Sequence, residues 1–363
     1  QVPDSFEVHE LLGMVYSGES QDNAANQHFE KSVSLRPDSA AARTNLAMNL
    51  VRLGKLYRAQ DQLKKAVILD PHSYDPNHNL GELYIRTGKL ESAIPYLKQA
   101  QEIAPSSYDN GYDLALAYLL TAHTAPARQL VHNLLQEKNT AELHNLLGQI
   151  EEKDGNYVVA ANEYETAAHQ DPSESNLFDW ASELLMHRTL EPAIEIFRTS
   201  AERYPDSARM AIGLGIALYS RGNYDDAVKS LLRASDLNPN DARCYFFLSK
   251  AYDSSPSQAN EVIERFRRFS ERQPANAHAY YYYAMSLWKG KRTQDPSLDR
   301  QQIELLLRKA VTLDPKLADA HLQLGNLYSD QGKYPESVPE YEQALNGSSK
   351  PADAHYRLAQ AYV

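Results

Sequence analysis

The chain has 363 residues, 42% of them hydrophobic and 23% charged, with a formal charge of −11. That is enough apolar content to fold and more length than one core serves, since single cores stop growing at roughly 250–300 residues. The negative charge argues against the basic stripe by which nucleic-acid binders displace counterions, and the lone cysteine, Cys244, excludes an internal disulfide or a cysteine-built metal cage.

A repeated unit explains the length. Prolines fall at Pro3, Pro37, Pro71 and Pro105, each 34 residues after the last, and resume at Pro172. In chain order, the first unit (about 6–39) carries the large-small pair Leu12-Gly13 and, twelve residues on, Ala25. The second (40–73) has Leu46-Ala47, Gly54, Ala59 and a closing Asp70-Pro71. The third (74–107) has Leu80-Gly81, Gly88, Ala93 and Pro105. The fourth (108–140) keeps Leu114-Ala115 and Ala127 but is shortened near Asn139 and lacks the proline. The fifth (141–173) shows Leu147-Gly148, Gly155, Ala160 and Asp171-Pro172, and the sixth (174–207) Trp180-Ala181, Ala193 and Pro205. The seventh (208–241) has Leu214-Gly215, Gly222, Ala227 and Asn238-Pro239. The eighth (242–276) has Leu248-Ser249, Val262 and Pro274, with about one extra residue near Ser254-Ser255-Pro256. The ninth (277–317) has Tyr283-Ala284, Ile303 and Asp314-Pro315, with about seven extra residues. The tenth (318–351) has Leu324-Gly325, Gly332 and Ser337, and a partial unit (352–363) ends on Leu358-Ala359.

Within a unit the apolar spacing is helical, as in Leu80, Leu83, Tyr84 and then Ala93, Ile94, Leu97, Ala100, which predicts two helices. Gly54, Gly88, Gly155, Gly222 and Gly332 fall between them, where a left-handed residue ends the first helix. Pro126, Pro192 and Pro335 open second helices, Pro95 and Pro339 sit near the end of the first turn, and the closing prolines forbid continuation. The polar stretch Lys289 to Asp299 is predicted to be a surface loop. Asn346-Gly347-Ser348 matches a glycosylation sequon, but Asn-Gly reads better as a turn. Arg265, Arg267, Arg268 and Arg272, interleaved with Glu261, Glu264 and Glu271, read as a solvated helix face. One hairpin cannot bury its apolar face alone, so residues 1–363 are expected to form a single array in which each unit leans on the next.

These ladders resemble the tetratricopeptide repeat family. The unit from Tyr74 to Ser107 carries Leu80-Gly81, Tyr84, Gly88, Ala93, Leu97, Ala100 and Pro105 in the family's order, and the likeness spans essentially the whole chain. It implies an all-α solenoid of about ten helix-turn-helix repeats in a right-handed superhelix. Pro3 occupies the closing slot of a unit whose helices are absent, and the chain stops as another first helix finishes, so an excerpt of a longer protein is expected.

No phosphate loop, nucleophile elbow, HExxH or calcium-loop pattern is present, and no catalytic residue, cofactor or metal is expected. His78 and Glu82 could begin a metal site at i and i+4, but a hydrogen-bonded surface pair is the simpler expectation. Cys244, beside Tyr245, Phe246, Phe247 and Leu248, should be a buried, inert thiol. On each first helix, residues two before and two and five after the large member of the pair face away from the core. That stripe should be polar, yet it reads Tyr112, Leu116 and Leu119, then Phe178, Ser182 and Leu185, then Ile212, Ile216 and Tyr219, then Phe246, Lys250 and Asp253, then Tyr281, Met285 and Trp288.

In the resembled family this stripe lines a concave peptide-binding groove. Tyr112, Leu116, Leu119, Phe178, Leu185, Ile212, Ile216, Tyr219, Phe246, Tyr281, Met285 and Trp288 are therefore the candidate partner-binding residues. The competing account is that packing between adjacent first helices buries them. The expected function is a protein-interaction scaffold for a protein or peptide ligand of apolar or basic character, with no nucleic acid and no membrane segment. The alternative is the substrate-recruiting arm of an enzyme whose catalytic domain lies elsewhere. The stripe lacks the Lys and Asn set of the family's carboxylate clamp. Low cysteine use fits the cytoplasm and an exported bacterial protein equally.

Overall fold

A computed structural model describes residues 5–255, 258–290, 296–347 and 351–362, in which every regular element is an α-helix. Pro3, Pro256, Ser348 and residues 291–295 of the expected loop lie outside the described residues. The chain divides into two compact units, Gln1–Asn176 and Leu177–Val363.

The first unit holds five hairpins: α1 (Phe6–Gly18) with α2 (Asp22–Leu35), α3 (Ala40–Arg52) with α4 (Leu56–Leu69), α5 (Tyr74–Arg86) with α6 (Leu90–Ile103), α7 (Tyr108–Leu120) with α8 (Thr124–Glu137), and α9 (Ala141–Lys153) with α10 (Tyr157–Gln170). Four of these five first helices, α5 excepted, start on side-chain caps: Ser39 Oγ accepts from the Ala42 N–H at 3.1 Å, satisfying a donor the helix leaves open. They stop on a left-handed residue. Gly88, at φ +72°, lets the Lys89 N–H reach back to the Tyr84 carbonyl at 2.8 Å, and the other four turn glycines share that conformation. The turn slot keeps it without glycine, at Ser20, Ala122 and Arg188, with φ of 60°, 64° and 60°.

The small-residue ladder is the contact between the two helices of a hairpin. A Cβ on Gly81 would stand 2.5 Å from the Leu97 side chain, so α5 and α6 approach as they do because that atom is missing. Ala25, Ala59, Ala93, Ala127 and Ala160 are fully buried opposite, as are Leu63, Leu80 and Leu97, each leucine contributing about 1.5–3 kcal/mol of burial. The fourth unit has no closing proline. In its place Asn139 Oδ1 accepts from Gln170 Nε2 at 2.7 Å and lies 2.8 Å from His144 Nε2.

The second unit continues the pattern with α11 (Glu174–Met186), α12 (Leu190–Arg203), α13 (Ala208–Arg221), α14 (Tyr224–Leu237), α15 (Ala242–Ser254), α16 (Ala259–Arg272), α17 (Ala277–Lys289), α18 (Pro296–Leu313), α19 (Ala318–Asp330), α20 (Tyr334–Leu345) and α21 (Pro351–Ala361). Its core is more aromatic: Tyr245 and Phe269 are buried with rings stacked 3.8 Å apart. Cys244 is fully buried beside them, and that burial pushes its thiol up to about 12. The arginine-rich face of α16 is paired, Arg267 and Arg268 each meeting Glu264, at 2.8 and 2.7 Å. The Asn346-Gly347 dipeptide forms a turn.

One expectation is corrected here. Of the polar stretch Lys289 to Asp299, residues 296–299 are helix, extending α18 to 18 residues, and Asp299 is buried. Pro296 is the first helical residue and Asp299 lies in the first turn, where a carboxylate suits the dipole. A run of polar residues obscured a helix start.

Candidate partner-binding site

In the first unit, the outward face of α7 carries Tyr112 and Leu116, both half-buried. Leu119 does not belong to that face: it is 4% exposed and packs with Ala115, Val131, Leu146 and Leu147, so it is a core residue. Tyr112 stacks beside Tyr108, which donates to Glu142 at 3.0 Å and receives Lys138 over its ring. Burial raises the pKa of both Tyr112 and Asp113; for Asp113, Glu82 and Asp109 add to the effect and His78 opposes it. His78 meets Asn110 Oδ1 through Nδ1 at 3.1 Å and stacks on Tyr74; no hydrogen bond links it to Glu82. Among the described residues no group of three or more His, Cys, Asp or Glu could hold a metal.

In the second unit the candidates divide in the same way. Ile212 is 4% exposed and lies in the core. Phe178, Leu185, Ile216 and Tyr219 are half-buried, Phe178 against Phe197 and under the Arg209 guanidinium, Tyr219 edge-on to Phe247. The remaining four come together. Phe246 from α15 and Tyr281, Met285 and Trp288 from α17 line one cavity of about 410 Å³.

Three consecutive first helices build that cavity, each through one face. Phe246, Ser249, Lys250 and Asp253 recur at helical spacing on α15; His278, Tyr281, Met285 and Trp288 do so on α17; Asp319, Leu322, Asn326 and Asp330 do so on α19. Tyr282, Lys289, Leu317, Gln323 and Arg357 complete the wall. Phe246 is 43% exposed, while Tyr281 is half-buried and its hydroxyl pKa is raised by burial, with Asp319 and Asp253 adding. Lys289 pairs with Asp253, and Lys250 lies 5.7 Å over the Phe246 ring. The wall is therefore aromatic at its floor and charged around it. Sequence reasoning named the floor and missed the α19 side, although the same stripe in the tenth unit, counted from Leu324, gives Leu322 and Asn326.

Helical hairpins repeated along the described residues make this an α-solenoid. Tetratricopeptide repeat profiles match residues 44–108, 86–150, 178–242 and 306–338, and a TPR repeat profile matches 325–363. Together they cover more than half of the chain, which belongs to the tetratricopeptide repeat family. No curated protein sequence matches it.

Among solved structures, the C-terminal part of a TPR repeat-containing protein from Cytophaga hutchinsonii is similar, at 15% identity, over 68% of this chain and 99% of that one, with a TM-score of 0.53. A tetratricopeptide repeat protein from Parabacteroides merdae is 16% identical over 68% of this chain and 98% of its own, with a TM-score of 0.52. YrrB, described as a TPR protein with an unusual peptide-binding site, is 19% identical over 51% of this chain and 96% of its own, with a TM-score of 0.42. At these identities the likeness is one of fold. Proteins of this family generally mediate protein–protein interactions, and the repeat is typically a non-catalytic scaffold. Among the described residues no helix is long and apolar enough to cross a membrane.

Proposed function

We propose that the chain is a protein-interaction scaffold that holds an extended segment of a partner against the first-helix face of α15, α17 and α19. One observation carries this reading: Phe246, Tyr281, Met285 and Trp288, distant in sequence by up to 42 residues, line a single cavity of about 410 Å³. Aromatic side chains offer large contact area with few rotamers to freeze, which is why they anchor interfaces. The scaffold has no catalytic role of its own, and its net charge of −11 disfavours nucleic acid and favours a neutral or basic partner.

The test is a double substitution, Tyr281→Ala with Trp288→Ala. Both side chains are half-buried, so binding of a partner identified with the unaltered chain should weaken by about 1–4 kcal/mol while most helicity remains. Truncating a fully buried aromatic instead lowers stability by about 3–5 kcal/mol with no ligand present. A large fall in melting temperature with unchanged partner affinity would mean that these side chains serve packing between repeats alone.

A further inference from the structure

The turn that ends α20 exposes an Asn-Gly dipeptide to its own chemistry. The main-chain nitrogen that follows an asparagine attacks the side-chain amide carbon and closes a succinimide ring, and glycine obstructs this least because it carries no Cβ. The chain holds two such dipeptides, Asn110-Gly111 and Asn346-Gly347, and the fold treats them oppositely.

Asn110 lies within α7 and is fully buried. Its amide nitrogen donates to the Leu97 carbonyl at 2.9 Å and to Gln101 Oε1 at 2.8 Å, and its Oδ1 meets His78 Nδ1 at 3.1 Å. The Gly111 N–H that would have to attack donates to the Ser107 carbonyl at 3.0 Å. Reaction there requires these bonds to break together, which is a local opening of the helix. Asn346 and Gly347 are exposed, just past the last residue of α20. The Asn346 N–H still donates to the Gln343 carbonyl at 3.1 Å, but the Gly347 N–H donates to nothing among the described residues. An added Cβ on Gly347 would meet open space, so the rotation that brings its nitrogen to the amide carbon meets no neighbour there. The related Asp154-Gly155 is protected by charge. Hydrogen bonding to Arg128, then to Thr124, holds the Asp154 carboxyl below its ordinary value, and an ionised carboxylate would have to expel oxide. The Gly155 N–H is also occupied, by the Glu152 carbonyl at 3.0 Å.

We propose that Asn346 is a self-modification site of the folded chain, converting to isoaspartate and aspartate while Asn110 is preserved. In the first step the Gly347 nitrogen gives up its proton and bonds to Asn346 Cγ, and the side-chain nitrogen leaves as ammonia, taking up a proton from water. In the second, water adds to either ring carbonyl and breaks that carbon's bond to the ring nitrogen. Opening at the main-chain carbonyl leaves isoaspartate, with the backbone running through Cγ; opening at Cγ leaves aspartate. Water is the only co-reactant. Either product puts a carboxylate at the C-terminal end of α20, where the helix dipole disfavours negative charge. That end leads into α21, whose Ala354 is fully buried with Tyr341 and Ala344 of α20.

The intact chain, held in mildly alkaline buffer at physiological temperature and sampled by tryptic peptide mapping with mass spectrometry, tests this. Trypsin separates the two asparagines into different peptides. Asn346 should convert at least about tenfold faster than Asn110, because Asn110 waits on local opening. Isoaspartate should be the larger product by electron-transfer fragmentation, and the rate should rise with pH as the attacking nitrogen deprotonates. In the urea-unfolded chain the two asparagines should convert within about threefold of each other, since the protection of Asn110 is then gone. Asn346→Gln, whose longer side chain disfavours ring closure, should leave position 346 unchanged over the same period. Asn346 that stays intact in the folded chain while converting in urea would overturn the proposal. Equal rates for Asn346 and Asn110 in the folded chain would do so as well.

Discussion

The left-handed turn residue sets a local cost that differs from repeat to repeat. At Gly88 an added Cβ meets open space, so the objection to a side chain there is backbone conformation alone. Gly88→Val should therefore lower the unfolding midpoint, by about 1 kcal/mol or more, because a β-branched residue is strained at φ +72°. Ala122, at φ 64°, already bears such strain. Ala122→Gly should relieve about 1–2 kcal/mol of it while adding about 0.4–1 kcal/mol of unfolded-chain entropy, for a net gain of about 0.5–1 kcal/mol in urea titration. An unchanged midpoint for both variants would mean that the turn residues do not limit stability. A second residue-scale term depends on pH. Glu151 is buried, accepts from Arg128 Nε at 2.5 Å, and has its carboxyl held below the ordinary 4.5 chiefly by that hydrogen bond. A carboxylate with a lowered folded pKa contributes its full stabilisation above 4.5 and loses it as pH falls through the lower folded value. Arg128→Met should cost about 1–3 kcal/mol at neutral pH, and the difference from the parent should shrink as melts are taken below pH 4.5.

At the level of the helix pair, stability rests on close approach. Gly81→Ala places a methyl group 2.5 Å from the Leu97 side chain, and overpacking of that kind costs about 1–3 kcal/mol. Adding Leu97→Val should recover part of the loss; equal melting temperatures for the single and double variants would show that α5 and α6 simply shift apart. The elements themselves were largely legible in the sequence, because the helix-ending prolines, the Leu-small pairs and the turn glycines all recur in the same order. What escaped were features without a residue signal. Ser20, Ala122 and Arg188 take a left-handed backbone that their identities disfavour, since the hairpin geometry imposes it. The start of α18 lay hidden in a polar stretch. Of the stripe, Phe246, Tyr281, Met285 and Trp288 line one cavity, whereas Leu119 and Ile212 lie in the core and were not separable from them by angle. A first helix meets neighbours on its flanks as well as its back, so a stripe drawn opposite one contact still grazes another.

For the molecule as a whole, the single thiol has a use that has nothing to do with binding. Cys244 is fully enclosed, with its thiol pushed up to about 12 chiefly by burial; at pH 8 it is both unreachable and protonated, and only the thiolate attacks an electrophile. A sulfhydryl reagent can therefore modify the chain only when the region around α15 opens. Phe269→Ala removes the ring stacked on Tyr245 beside it and should cost about 3–5 kcal/mol. Labelling should then accelerate in proportion to the larger open population where reclosing outruns modification, while Gly88→Val, far along the first unit, supplies the comparison. Since no other sulfur in the chain carries a proton, each modified molecule records one opening event. Residue 244 thus works as a stopwatch whose only start signal is the loosening of its own aromatic cover.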